Sequence, residues 1–247
     1  VKKREIKYSI VIGAYNESSL IADSLRLIKD YLVEQEIYEN TEVVVVTADS
    51  PDGTVGIVSE HIQIFDNHQH IKPGVRVGKG RDIGLGVRSA KGEKILFMDA
   101  DLASPLRHIM PTYDLLDDKD VVLGVRDIRK MHNSWLRSFS SVVSNLIIKI
   151  MLWQSIPDTQ CGFKAYTKEA AYDIFSRQTI MGWGFDFELI AIAKTRGFKQ
   201  VQNVVTGWSD PKPAGQGLVG DSQAKAMIQV LKDLIIVRHN IWRGVYK

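Results

Sequence analysis

Apolar residues recur along this chain with two alternating periods. Tyr8–Gly13 (YSIVIG) reads as a buried strand, and the next segment, NESSLIADSLRLIKDYL, carries Leu20, Ile21, Leu25, Ile28 and Leu32 at helical spacing. Asn16 or Ser18 would cap that helix. In EVVVVTADSPDGT, Val43–Thr47 predicts a second strand, with a short helix over Thr54–His61 after it. IQIFDN predicts a third strand, EKILFMDADLASP a fourth with an acidic exit, and DVVLGVRD a fifth. KPGVRVGKGRDIGLGVRSAKG reads as a basic, glycine-rich loop running into a helix.

The second half changes character. A long helix is expected over about 134–153, carrying Trp135, Leu136, Phe139, Val142, Val143, Leu146, Ile147 and Ile150. DTQCGFKAY reads as a loop entering a short strand, GFDFELIAIAKTRG as a helix ended by Gly197, and KQVQNVVTGW as a strand. SDPKPAGQGLVGDS has the content of a loop, and a last helix spans about Ser222–Trp242. Strands alternating with helices predict a mostly parallel sheet with helices on both faces, whose ligands bind outside the carboxyl ends of the strands.

Length and composition fit that picture. The 247 residues suit one large α/β domain, with 45% hydrophobic and 25% charged residues. A single cysteine, Cys161, excludes an internal disulfide framework. A net charge of +3 is too small to imply nucleic acid, and no such partner is expected. No run reaches the roughly 18 apolar residues of a membrane span. The chain begins at Val1, and Lys2-Lys3-Arg4 suits either a solvated terminus or the cytoplasmic flank of an anchor upstream.

Several segments carry candidate chemistry. Asp99-Ala100-Asp101 at the exit of the fourth strand could hold Mg²⁺ or Mn²⁺, or Asp101 could cap a helix starting near Pro105. Arg76, Lys79 and Arg81 among glycines could bring cations to a diphosphate, or form a solvated loop. The segment does not match the P-loop spacing. Arg137 and Ser141 share a helix face and, with Arg126, could grip a phosphate monoester; the alternative is an exposed helix face. Asp186 and Glu188 could serve as a base or as acids at a helix start. Both KDLIIVRHNIWRGVYK and Leu146–Trp153 suit an interfacial amphipathic helix as well as a packed one.

The order YSIVIGAYNE, VVVVTADSPDGT, GKG, FMDAD, DTQCGFKAY, FDFEL and a late GW resembles family 2 glycosyltransferases of the GT-A fold. It looks most like their dolichyl-phosphate β-glucosyltransferase and polyprenyl-phosphate branch. The resemblance covers nearly the whole chain. It implies one GT-A domain over 1–247, a mostly parallel mixed sheet flanked by helices with C-terminal amphipathic helices. Residues 5–125 would bind the nucleotide-sugar, and residues 126–247 the acceptor and a membrane.

The implied activity is inverting transfer of a sugar, glucose favoured, from a nucleoside diphosphate sugar to a polyprenyl phosphate. UDP-sugar is the favoured donor and GDP-sugar the other. The implied setting is the cytoplasmic face of a membrane. A hydroxyl acceptor, with Asp186 or Glu188 as base, is the alternative enzyme, and a non-catalytic nucleotide- or membrane-binding homologue the alternative class.

By resemblance, Ala14, Tyr15 and Glu17 contact the nucleoside, Asp101 binds the metal and Asp99 lies near ribose, diphosphate or metal. Ala100, Lys79 and Arg81 join the donor site, while Arg126, Arg137 and Ser141 meet the acceptor phosphate beside Asp158 and Gln160. The family writes V-D-D-G-S-x-D-G-T where this chain has Val46-Thr47-Ala48-Asp49-Ser50-Pro51-Asp52-Gly53-Thr54. A base pocket near Thr47–Asp49 is therefore expected with altered selectivity. Gly13 replaces the usual proline. Ala103 replaces the glutamine of mannosyl-type enzymes, which leans the chain toward the glucosyl branch.

Overall fold

The computed structural model describes residues 5–127, 156, 158–209 and 221–247, and of 221–227 the helical backbone alone. The expected 134–153 helix, with Arg137 and Ser141, and most of the glycine- and proline-rich loop lie outside the described residues. Strands β1 (Tyr8–Ala14), β2 (Thr41–Thr47), β3 (His68–Ile71), β4 (Lys94–Asp99), β5 (Val121–Arg126), β6 (Phe163–Thr167) and β7 (Gln200–Val205) form one sheet in the order β3-β2-β1-β4-β6-β5-β7. β6 runs antiparallel to β4 and β5, and the remaining pairs are parallel. The order reverses between β2-β1 and β1-β4, which opens a crevice at their carboxyl ends.

Alternation along each strand sorts the core into two layers. Ile10, Ile12, Val43, Val45, Leu96 and Met98 pack with helices α1 (Ile21–Glu34), α2 (Thr54–His61) and α4 (Ile109–Leu115). Val11, Val44, Val46, Ile95 and Phe97 face α3 (Lys79–Ser89), α5 (Lys168–Ser176), α6 (Phe185–Arg196) and Leu234 and Val237 of α7 (Asp221–Arg243). Gly197 ends α6 in the left-handed region, as its position in the sequence suggests.

Two local expectations are corrected. IQIF is not a strand: Ile62–Ile64 is a 3₁₀ turn, and the buried Ile62 and Phe65 share one face at a spacing of three. The third strand is the half-buried HQHI, an edge strand paired only with β2, whose polar residues hide it from an apolar-run reading. Neither Asn16 nor Ser18 caps α1, which starts after Leu20 without a side-chain cap. Residues 16–18 are committed to the loop after β2 instead. The Asn16, Glu17 and Ser18 N–H groups donate to Ser50 Oγ, Thr54 Oγ1 and Asp52 Oδ2.

Candidate active site

The parallel register sets Ala14 beside Thr47 and Gly13 beside Asp99 at the carboxyl edge of the sheet. A cleft opens there, lined by Ala14, Tyr15, Glu17, Arg76, Lys79, Asp82, Asp99, Ala100, Asp101 and Trp183, with Gly13 at its base. Lys79, the first residue of α3, reaches across to Asp99 with Nζ 2.5 Å from Oδ1 and lies 5.3 Å above the Trp183 ring. Burial alone would lower the Lys79 pKa, but Asp99, Asp186 and Asp101 hold it above the usual lysine value. The Asp99 N–H donates to the Gly162 carbonyl, and only glycine fits there because a Cβ would lie 2.1 Å from Asp99 Oδ2.

Asp101 Oδ1 accepts from the Ala103 N–H at 3.1 Å, closing a turn in which Leu102 adopts a left-handed φ of 52°. It therefore closes this turn rather than capping a helix near Pro105. Among the described residues no cluster of three or more His, Cys, Asp or Glu side chains could hold a metal by itself. Asp99 and Asp101 fit the other mode of Mg²⁺ or Mn²⁺ binding, in which one or two carboxylates share the ion with substrate phosphates.

At the opposite rim the Arg76 guanidinium stacks on the Tyr15 ring, 3.6 Å from its centroid. Arg81, expected at the diphosphate, is not among the lining residues. Its guanidinium donates to the carbonyls of Val75 and Pro73 at 3.0 and 3.2 Å and so fixes the loop that presents Arg76.

The loop after β2 departs from expectation as well. Thr47 is fully buried, with its hydroxyl 2.7 Å from His70 Nε2, and its side chain does not open to the cleft. Ser59 Oγ donates to the Val55 carbonyl at 2.8 Å and so accepts from His70 Nδ1–H, which leaves Nε2 to accept from Thr47. Asp49 is exposed and anchored by its N–H to the Gly74 carbonyl. The structured acid of this loop is Asp52. Burial would raise its carboxyl, but the Thr54 hydroxyl and the N–H groups of Ser18 and Thr54 pull it down to about 2.

Behind the cleft, Asp186 is buried and ion-paired with the fully buried Lys164. Burial pushes its carboxyl above the ordinary carboxylate range against the pull of Lys164 and Lys79. Walled in beneath the site, it is placed to orient Lys164, not to take a proton from an acceptor as the sequence suggested. Glu188 is fully buried too, accepting from the Thr179 and Ile180 N–H groups and from the Thr179 and Tyr246 hydroxyls. The Cys161 thiol is buried and pushed up to about 12, which removes it as a nucleophile.

Arg126 and Asp158, expected at the acceptor phosphate, bind each other. Arg126 Nε and Nη2 donate to the two Asp158 oxygens at 2.6 and 3.0 Å, and the guanidinium lies 5.2 Å from the Trp208 ring centroid. Burial would raise the Asp158 pKa, and Arg126 holds it below the usual range. The Gln160 N–H donates to Asp158 Oδ1 while its side chain is exposed. Reasoning from residues alone missed Trp183, Asp82 and His70; a tryptophan between two glycines next to FDFEL was the one available signal.

Residues 9–175 match the family described as glycosyl transferase family 2. A dolichyl-phosphate beta-glucosyltransferase of Trichomonas vaginalis is 29% identical, covering 97% of this chain and 76% of that protein, and a second from the same organism is 30% identical over 96% and 74%. The Homo sapiens dolichyl-phosphate beta-glucosyltransferase is 28% identical, covering 97% and 77%. Among solved structures, glucosyl-3-phosphoglycerate synthase from Mycobacterium tuberculosis in complex with Mn²⁺, uridine diphosphate and phosphoglyceric acid superposes with a TM-score of 0.65 at 16% identity, covering 94% and 78%. That likeness is one of fold. With a family match over most of its length and the acidic cleft at the strand-order reversal, the chain belongs to glycosyl transferase family 2 and is a glycosyltransferase of the GT-A fold.

Proposed function

We propose that this enzyme transfers a sugar, glucose in preference, from a nucleoside diphosphate sugar to a polyprenyl or dolichyl phosphate, with inversion at the anomeric carbon. The observation that carries the donor half is the cleft in which Asp99, Asp101 and Lys79 converge. Asp101, with Asp99, would hold Mg²⁺ or Mn²⁺, which supplies charge stabilisation for the departing diphosphate. Lys79 contributes positive charge at the same place, and its pairing with Asp99 pre-orients both side chains.

The acceptor half is supported by the relatives named above and by an exposed face of α7. Ile228, Leu231, Ile235 and Trp242 follow one another along that helix at exposures of 53, 37, 61 and 78%, beside the exposed Lys232 and Arg243. An apolar stripe edged by cations suits a peripheral membrane surface, where a lipid phosphate would be presented. Among the described residues no helix is long and apolar enough to cross a membrane. A phosphate monoester has a second pKa of about 6 and is largely dianionic at neutral pH. It attacks without a dedicated base, which agrees with the burial of Asp186 and Glu188.

The likeness in fold to a phosphoglycerate-binding synthase favours a second reading, a small phosphorylated acid as acceptor. Labelled UDP-glucose, Mn²⁺ and either dolichyl phosphate in vesicles or 3-phosphoglycerate separate the two. Label in the lipid phase, lost in Asp101→Asn, supports the proposal. Label in the aqueous acid alone replaces it with the second reading.

A further inference from the structure

Asp82 also lines the cleft and is separate from the Asp99 and Asp101 pair that would hold the metal. Asp82, in the first turn of α3, borders the cleft and is 5% exposed. Its Oδ1 is buried and meets no hydrogen-bond donor among the described residues. Buried acceptors are almost always paired, so an unpaired one bordering a cleft is available to a ligand's donor. Burial raises the Asp82 pKa against the pull of Arg76 and Arg81.

Its position identifies the part of the donor it would meet. Lys79, one turn earlier on α3, goes to Asp99 and the diphosphate end. A carboxylate at Asp82 would repel phosphate oxygens, so its partner is an uncharged group. The helix start packs against the exit of β1, where a Cβ on Gly13 would lie 3.1 Å from Ile83 Cδ1, and the Tyr15–Arg76 stack forms the adjoining rim. Flat faces beside a lone acceptor suit a nucleobase. The exit of β2 offers no competing acceptor, because Thr47 there is buried and sealed by His70.

We propose that Asp82 reads the base of the donor, accepting a hydrogen bond from the ring N–H of uracil, and so replaces the acid absent from β2. The inference rests on the nucleoside diphosphate sugar reading. Guanine offers a similar ring N–H. Cytosine and adenine present an unprotonated ring nitrogen there, which a carboxylate repels.

The test is binding of UDP, N3-methyl-UDP, 2′-deoxy-UDP and CDP, each with Mn²⁺, to the full chain and to Asp82→Ala, with thermal melting as the check of folding. The wild type should prefer UDP to N3-methyl-UDP and to CDP by about tenfold or more, and Asp82→Ala should bring both ratios within about twofold. If that variant does not fold, Asp82→Asn, which keeps the shape and loses the charge, should lower both ratios at least about threefold. Ratios unchanged in a folded variant overturn the assignment. So does a change confined to 2′-deoxy-UDP, which would place the carboxylate on the ribose. A wild type that binds none of the four nucleotides overturns the donor reading itself, a distinguishable result.

Discussion

Gly162 and Asp99 compete for one volume. The Asp99 carboxylate fills the space that any side chain at residue 162 would need, and a Cβ there would come within 2.1 Å of Oδ2. The glycine of the loop entering β6 thus decides whether the Lys79–Asp99 pair can form. Gly162→Ala should displace Asp99 and cost about 1–3 kcal/mol of stability from overpacking. Turnover should fall by at least about tenfold, as expected when a positioned charge is moved. Melting temperature and steady-state rates measured together check this; an unchanged rate would show that Asp99 tolerates displacement.

Arg126, a quarter exposed, and the buried Asp158 form a pair that is costly to break from the Asp158 side. Asp158 is fully buried, and losing the Arg126 side chain would remove its ion-pair partner while the Arg126 and Gln160 N–H groups still donate to it. Arg126→Met should destabilise the fold by about 3–5 kcal/mol, and the double change with Asp158→Asn should recover part of that loss. Denaturant midpoints of the four proteins in the cycle provide the measurement.

His70 gives the stability a pH dependence of known sign. Burial first, then the nearby Lys72 and His68, lower its pKa to about 4 from the ordinary value of 6.5. Between those values the unfolded chain binds more protons than the folded one, so stability rises with pH across the window. The contribution is complete above about 6.5 and is lost as pH falls toward 4. His70→Asn should flatten the melting temperature between these limits relative to wild type. Asp52, at about 2, titrates below that window and should leave the comparison unaffected.

The exposed stripe of α7 should carry membrane affinity. Ile235→Ser with Trp242→Ser removes two of its most exposed apolar side chains without touching the buried Leu234 and Val237. Binding to vesicles rich in anionic lipid should weaken by at least about tenfold, since each apolar side chain buried is worth about 1.5–3 kcal/mol. Wild-type binding should also fall with added salt, because part of the attraction is electrostatic. Flotation assays on both proteins measure it, and equal binding would assign the contact to another surface.

What the chain reveals before folding differs from place to place for physical reasons. The D-A-D exit was legible because a buried strand must end where its acids begin, and Lys94–Asp99 does so. The helix at Thr54–His61 was legible from its turn-rich entry. β3 was not, because an edge strand buries little and its alternation is polar. Arg81 and Arg76 look alike in a glycine-rich loop, and only the carbonyls of Pro73 and Val75 decide which of them is occupied. The isolation of Asp82 is a property of its neighbours and has no local signature. In SPDGT, the acid that matters structurally is Asp52, which ties the loop after β2 to the one after β1.

Glu188 joins parts that lie far apart along the chain. It grips the 179–180 strap that runs on to Trp183 at the mouth of the cleft, and it grips Tyr246 just beyond α7. One buried carboxylate thus fastens the approach to the cleft and the chain just past α7 to the same point on α6.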